Sequence, residues 1–289
     1  MENVDLMSFG SFTYDLIENA CREKRLCVGG SGAYFSISSS LFDIKVIPAG
    51  YISNRVPERV LEKIKEKIDI SFLIQKENLS FHIKYDEKWN ARYLKDLKED
   101  AENFDFKVLP EPKFIHVCVI SSIEHQLEIL KFYKKNKGPY ISSGTYLNRV
   151  KKDREKVLRI IELSDFFFMN RIEAFALSGK DKWEDVVNFF SSLDKCVIIT
   201  KGEDGAMFIS KDKIFEVLSI KVNVKDTTGA GESFAGGFIG SYIKYKDPLL
   251  SLKFGVTLSS FDIEDFGINR LINIKSDDVL RRFKENFHD

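Results

Sequence analysis

The densest group of residues that could do chemistry in this sequence lies between Asp226 and Glu232. It reads Asp-Thr-Thr-Gly-Ala-Gly-Glu and leads into a stretch with helical apolar spacing. Amide groups at a helix start favour an anion, and glycines let a phosphate approach the backbone closely. Glu232 adds a carboxylate to this anion site, where it could take a proton from a hydroxyl that attacks a phosphoryl group.

The same turn has a simpler interpretation, in which Glu232 only stabilises the first turn of the helix through the helix dipole. The turn alone does not choose between the two. It is not a P-loop, because no Gly-Lys-Ser/Thr sequence follows. Nor is it a dinucleotide-binding fingerprint, because Phe234 stands where a third small residue is needed. An NAD-dependent oxidoreductase is therefore a poor fit.

The segment resembles the C-terminal signature of the PfkB (ribokinase-like) family of carbohydrate and nucleoside kinases, whose usual form is Asp-Thr-x-Gly-Ala-Gly-Asp-x-Phe. The one departure is Glu232, which stands where the family has Asp. The resemblance implies that Glu232 occupies the catalytic-base position. It also implies that the amides of Gly229, Ala230 and Gly231 form the anion hole for the transferring phosphate.

Two further segments resemble the family's nucleotide site. Asn170 and Glu173 have the spacing of a helix capping box, and the resemblance implies that they also organise Mg²⁺ and the ATP phosphates, with Glu173 acting through water. A later segment is either a simple hairpin turn or the family's Thr-x-Gly-x-x-Gly motif. In the second case Thr200 and Gly202 face ATP and Gly205 shapes the turn.

The resemblance also implies a monovalent-cation site and a site for the molecule that accepts the phosphoryl group. Asp226 would lie near a monovalent cation such as K⁺, beside Thr228, which is also assigned to the ATP site. Asp15 matches an Asp that binds substrate hydroxyls, although the sequence equally allows a turn residue or a helix cap there.

Residues 28–34 resemble the family's first signature, in which Gly29 and Gly30 approach the sugar and Ser31 follows. An Asn is usual where Tyr34 stands. The aromatic ring could stack on a base or a sugar face, or it could pack in the core.

These matches predict an ATP-dependent kinase that phosphorylates a hydroxyl of a sugar or a nucleoside. The exchange of Asp for Glu232 leaves a second hypothesis, a weak or inactive relative that senses a nucleotide or a sugar. Because Asn170, Glu173 and the glycines are intact, the sequence favours the enzyme.

The elements that must position these residues alternate along the chain. Short apolar runs are typical of strands buried on both faces of a parallel sheet, and amphipathic stretches between them are typical of helices. The predicted strands are 4–9, 45–48, 114–120, 139–142, 165–169 and 196–200. The predicted helices are 124–135, 153–163, 171–177, 183–193, 276–287 and two that follow Gly231. The pattern predicts an α/β domain with a mostly parallel sheet and helices on both faces. The resemblance implies that residues 1–289 form one ribokinase-like three-layer sandwich.

One region breaks the alternation. Residues 70–74 and 79–84 look like two strands joined by a polar turn, without a helix of their own. We interpret residues 70–86 as a small β-lid, with an ordinary edge hairpin as the alternative. An exposed lid edge could pair two subunits into a homodimer.

The composition excludes several classes of protein. The 289 residues include 44 basic and 44 acidic side chains, so there is no general attraction to nucleic acid or to a membrane surface. The four cysteines and four histidines lack zinc-ligand spacing. The N-terminus lacks a signal-peptide pattern and no apolar run approaches membrane-spanning length, which predicts a cytoplasmic protein.

Overall fold

The framework of the protein is a nine-stranded sheet with a separate four-stranded sheet above one end. The computed structural model describes residues 4–95, 102–107, 109–135 and 138–287. The described strands are β1 (Val4–Phe9), β2 (Thr13–Glu18), β3 (Lys24–Gly29), β4 (Val46–Ser53), β5 (Phe72–Lys76), β6 (His82–Tyr85), β7 (Ala91–Lys95), β8 (Pro112–Val117), β9 (Tyr140–Gly144), β10 (Phe166–Asn170), β11 (Cys196–Thr200), β12 (Ala206–Ile209) and β13 (Ile214–Val217).

The helices cover both faces of the large sheet. They are α1 (Ser31–Ser40), α2 (Glu58–Lys65), α3 (Ile123–Lys135), α4 (Leu147–Lys152), α5 (Arg154–Leu163), α6 (Arg171–Ser178), α7 (Trp183–Ser191), α8 (Ala230–Tyr245), α9 (Pro248–Asp262) and α10 (Ser276–Asn286). None of the described helices is both long enough and apolar enough to cross a membrane.

The large sheet has the strand order β13-β12-β11-β10-β9-β8-β1-β4-β5. All neighbours from β11 to β5 pair in parallel, while β12 and β13 add an antiparallel edge. One apolar core lies on the face covered by α1, α8 and α9, and a second lies on the face covered by α3, α5 and α7. The predicted strands and helices are all present, most of them with shifted ends, and the predicted three-layer sandwich is confirmed.

The predicted β-lid at residues 70–86 is present only in part, and the pairing of its two strands as a hairpin is wrong. β5 extends the large sheet in parallel with β4, and only β6 enters the second sheet, whose order is β3-β2-β6-β7. The strands separate because Phe72 and Leu73 pack on the large sheet's cores, while Ile83 packs in a small core of the second sheet. We call β2, β3, β6 and β7 the lid. Asp15 therefore lies within a lid strand and is neither a turn residue nor a helix cap.

Candidate active site

A cavity of about 240 Å³ lies between the lid and the carboxyl ends of the parallel strands. Ligands in open α/β sheets bind at this edge. The cavity collects predicted residues from distant parts of the chain, namely Asp15, Gly30, Ser31, Tyr34, Thr228, Gly229 and Glu232. The remaining predicted residues are not part of its lining, and they lie behind it or at the neighbouring strand ends.

The glycine-rich turn forms the first turn of α8. Gly229 adopts the left-handed region with φ 82° and precedes the helix, and the Ser233 amide donates to its carbonyl at 2.8 Å. The Ala230 amide donates to the Thr227 carbonyl at 3.3 Å. Within the described residues the amides of Gly229 and Gly231 have no acceptor, so they are available to an anion.

Glu232 lies on this first turn with its carboxylate half-buried in the cavity wall. No hydrogen bond from another described side chain and no ion pair reaches it. Burial raises the pKa of the Glu232 carboxyl above its ordinary range. A carboxylate with a raised pKa is a better proton acceptor for a hydroxyl than an ordinary one.

Tyr34 supports the turn from below. Its side chain is 1% exposed, and a Cβ added at Gly229 would lie 2.4 Å from three of its ring carbons. The ring therefore packs under the turn, and its face against Gly229 is closed to a ligand. Its hydroxyl lies beside Gly29 and has no hydrogen-bond partner among the described residues, and burial raises the pKa of the Tyr34 phenol.

Asp15 faces the cavity from the lid strand β2. Its Oδ1 accepts the Phe81 amide at 2.7 Å, and its Oδ2 accepts the Thr13 hydroxyl at 2.6 Å. A Cβ at Gly29 would lie 2.6 Å from Oδ2, so only glycine lets the neighbouring strand come this close. Burial is the main cause that raises the pKa of Asp15 to about 7. Each carboxylate oxygen keeps a lone pair for a substrate hydroxyl.

The raised pKa of Asp15 predicts a measurable effect on stability. Between about pH 4 and pH 7 the folded state holds a proton that the unfolded state has released, so this group's contribution to stability falls as pH rises. Asp15→Asn stays neutral and should gain stability relative to the wild type across this window, on the order of a few kcal/mol. Urea unfolding of both proteins at pH 5 and pH 7.5 measures the difference. A constant difference would contradict the assignment.

Asn170 and Glu173 form a capping box at the start of α6. The Asn170 amide donates to Glu173 Oε2 at 2.8 Å, and the Glu173 amide donates to Asn170 Oδ1 at 2.9 Å. Burial, together with the nearby charge of Glu232, raises the pKa of Glu173 to about 7. Capping and a role at the metal are compatible, because Mg²⁺ in such sites binds few protein oxygens directly and keeps several waters. The described residues contain no group of three or more His, Cys, Asp or Glu side chains that could hold a metal.

The segment from Thr200 to Gly205 connects β11 to the antiparallel strand β12 as a hairpin turn, a geometry that is compatible with a nucleotide-binding role. Asn170 and Thr200 are directly paired at the ends of β10 and β11. Gly202 begins a short 3₁₀ turn with φ 64° and open space around its Cα. The two predicted nucleotide segments therefore lie side by side at one edge of the sheet.

Asp226 is buried behind the turn and holds two amides. Its Oδ1 accepts the Thr228 amide at 2.9 Å, and its Oδ2 accepts the Gly267 amide at 3.2 Å. Burial raises the pKa of this carboxyl. The Thr228 hydroxyl lies 2.8 Å from the Tyr85 hydroxyl of lid strand β6, which ties the lid to the turn.

Sequence reasoning missed Tyr85 and Glu102. Tyr85 reaches Thr228 from a strand whose pairing was predicted wrongly. Glu102 stands in a run of charged residues that is typical of a solvated loop, yet it is 5% exposed and lines the cavity. No pattern in the sequence marks either residue.

A parallel sheet with a β-lid over its carboxyl edge, and a glycine-rich helix start beside a carboxylate, define the class of ribokinase-like small-molecule kinases. Residues 58–274 match the family model described as pfkB family carbohydrate kinase. The chain belongs to this family.

Solved structures and curated relatives agree with this assignment. The nucleoside kinase of Methanocaldococcus jannaschii matches with a TM-score of 0.74 and 22% identity, over 99% of this chain and 100% of that one. A fructokinase from Vibrio cholerae, solved with fructose, ADP and calcium ion, matches with a TM-score of 0.79 and 18% identity, over 98% of this chain and 100% of that one. These likenesses show the fold. The cytidine kinase of Thermococcus kodakarensis is 26% identical over 253 residues, 83% of this chain and 88% of that protein.

Proposed function

We propose that the protein transfers the γ-phosphoryl group of ATP to a hydroxyl of a sugar or a nucleoside. The observation that carries the proposal is the position of Glu232, a half-buried carboxylate that lines the cavity on the first turn of α8. The same turn offers two amides without an acceptor among the described residues. The proton acceptor and the anion site are therefore adjacent, as phosphoryl transfer to an alcohol requires.

In this mechanism Asp15 accepts hydrogen bonds from acceptor hydroxyls and orients them. Glu232 takes the proton of the attacking hydroxyl while its oxygen bonds to the γ-phosphorus. The bond from that phosphorus to the bridging oxygen breaks, and ADP leaves. The amides of Gly229 and Gly231 stabilise the charge that develops on the transferred group.

ATP would lie along the strand ends marked by Asn170, Thr200, Gly202 and Gly205, with Thr228 at the transferred phosphate. A fructokinase of the same fold was solved with ADP and calcium ion, which supports a nucleotide and a divalent cation here. Bound Mg²⁺ would neutralise phosphate charge, and Glu173 would hold it through water.

A monovalent cation such as K⁺ would bind near Asp226. The oxygens of Asp226 each accept one amide and keep a further lone pair, so the donor set fits an oxygen-coordinated cation. Thr228 lies beside it. Comparing turnover in potassium and in a large organic cation at equal ionic strength tests this part of the proposal.

The proposal is tested by coupled measurement of ADP release across a panel of sugars and nucleosides. We expect turnover with at least one acceptor, and loss of turnover when EDTA removes Mg²⁺. No ADP release with any acceptor, in a protein that melts cooperatively, would contradict the kinase.

The second candidate is a sensor that binds a nucleotide or a sugar without turnover. It is favoured by the Glu at position 232, whose carboxylate reaches about 1.5 Å further than that of the family's Asp. A misplacement of roughly 1 Å can lower a rate on the order of 10²-fold. Calorimetry that detects binding without turnover, together with activity gained by Glu232→Asp, would establish the sensor.

A homodimer through the lid is a further proposal. Leu26 of β3 and Leu94 of β7 are 53% and 48% exposed, so each edge strand of the lid carries an apolar side chain that a second subunit could cover. Multi-angle light scattering should give twice the chain mass, and Leu26→Glu should give the monomer because it places a charge in the apolar contact. A wild-type monomer at micromolar concentration would contradict the dimer. The cytoplasmic location and the lack of nucleic-acid binding stay predictions.

A further inference from the structure

Glu102 is a buried carboxylate that lines the cavity and has no role in the proposed reaction. Its side chain lines the same cavity as Asp15 and Glu232. Its Oε2 accepts the Ser121 amide at 2.6 Å, and the Ser11 hydroxyl lies beside it. The segment after β8 therefore holds the carboxylate in the cavity wall.

Glu102 forms no ion pair within 4 Å among the described residues, although the charges of Arg149 and Lys76 lower its pKa from further away. The nearest cations are committed elsewhere, since Arg149 donates to Gln126 Oε1 at 2.6 Å and to the Ser121 carbonyl at 3.3 Å. Lys76 lies over the Tyr51 ring at 4.2 Å. Burial raises the pKa of the Glu102 carboxyl. A carboxylate buried in a cleft without a direct ion pair is typical of a group that meets a ligand.

The cavity as a whole is acidic. Among the described residues its lining includes three carboxylates and no Lys, Arg or His. The nearest lysine to Asp15, Lys95, donates to the Ser80 hydroxyl at 2.7 Å. The helix α1 begins in the wall at Ser31, but a helix start contributes only about half a positive charge.

The hydroxyl of Tyr34 is a second, independent sign of a polar ligand. Tyr34 lines the cavity, and its buried hydroxyl has no hydrogen-bond partner among the described residues. Buried hydroxyls almost always have a partner, so a ligand group would complete this one. Together, Tyr34 and the carboxylates offer acceptors for several hydrogen-bond donors in one small space.

We propose that Glu102 binds a hydroxyl or amino group of the acceptor, and that the three carboxylates restrict acceptors to molecules that carry no phosphate. This inference rests on the proposed function, because it narrows the class of acceptor for the same cavity. The amides of the α8 turn accommodate the phosphate of the transferred group. Above about pH 7, where Asp15 loses its proton, a phosphorylated sugar would bring a dianion against the negative charges of Asp15, Glu102 and Glu232.

Calorimetry without ATP tests this inference apart from turnover. The probes are cytidine, uridine, ribose and fructose, compared with ribose 5-phosphate and fructose 6-phosphate. We expect at least one unphosphorylated probe to bind about tenfold or more tightly than either phosphorylated one. Glu102→Gln keeps the shape of the side chain and should weaken that probe about 10- to 100-fold, the usual effect of a hydrogen bond to a charged group.

The matched control is Glu285→Gln on the exposed face of α10, which should leave all dissociation constants unchanged. Glutamine has the same shape as glutamate but no charge. If the dissociation constants of unphosphorylated and phosphorylated probes differ less in Glu102→Gln than in the wild type, charge rather than steric exclusion causes the discrimination. A preference for cytidine over uridine that disappears in the variant would assign an amino group. An equal loss for cytidine and a free sugar would assign a hydroxyl.

Three results would overturn the inference: equal binding of phosphorylated probes, no binding of any unphosphorylated probe, or unchanged binding in Glu102→Gln. Turnover with a sugar phosphate would overturn it while leaving the kinase intact. Conversely, selective binding that depends on Glu102 without any ADP release would support it and contradict the kinase.

Discussion

Replacing Glu232 by Gln should lower kcat by about 10²- to 10⁴-fold, the usual range for removal of a general base. Glutamine has the same shape as glutamate but cannot accept the proton of the attacking hydroxyl. The side chain is half-buried and no other described side chain bonds to it, so the exchange should not disturb the fold. Binding of ATP and acceptor, measured by calorimetry, should change only a few-fold, because the lost interaction belongs to the transition state.

Two variants serve as controls for this result. Glu285→Gln removes an exposed carboxylate from α10 and should leave kcat unchanged. Glu232→Asp introduces the residue that is usual in the family and should retain activity within about 10² of the wild type, since a shift of roughly 1 Å costs about that much. A Glu232→Gln enzyme with the wild-type kcat would refute the base assignment.

Gly229→Ala should destabilise the fold by about 2–4 kcal/mol and abolish turnover. Two costs add at this position. The φ of 82° is unfavourable for alanine by about 1 kcal/mol, and the new Cβ would lie 2.4 Å from three ring carbons of Tyr34. Tyr34 is fully buried and has no room to retreat, which adds the cost of overpacking, about 1–3 kcal/mol. If the turn is displaced, its amides would no longer point at the transferred phosphate.

Gly179 and Gly231 separate the two costs. Gly179→Ala meets only the backbone strain, since its φ is 68° and no atom lies within 4 Å of the added Cβ. It should cost about 1 kcal/mol. Gly231→Ala has neither the backbone strain nor a close contact of the added Cβ. It should melt at or above the wild-type temperature because alanine favours the helix. Differential scanning calorimetry should show a drop of roughly 4–16 °C for Gly229→Ala at about 2–4 °C per kcal/mol. Equal melting temperatures for Gly229→Ala and Gly179→Ala would contradict the contact with Tyr34.

The sequence by itself determined the features that depend on local order. The largely apolar segment Val4–Phe9 predicts a strand because most of its side chains must avoid water on both faces of the sheet. The residues Asn170 and Glu173 predict a helix start because their side chains can bond the free amides of their own first turn. The glycines before Glu232 predict an anion site for the same local reason, and the match to the family model supports that prediction.

The tertiary structure alone decided which strands pair and which side chains meet. β5 and β6 are neighbours in the chain, yet β5 pairs with β4 and β6 pairs with β2, so the predicted hairpin fails. Strand pairing depends on which apolar faces are buried together, and that balance involves residues far apart in sequence.

The tertiary structure also decided which residues line the cavity. Glu102 reads as part of a charged loop, but folding buries it beside Ser121 in the cavity that also holds Asp15 and Glu232. Tyr34 under Gly229 is another meeting of residues almost two hundred positions apart, which the sequence left open between stacking and packing. Burial and long-range contact set both the space and the pKa values of this site, and neither is a property of a short segment. The sequence thus determined the turn that begins α8, while the fold decided what faces it.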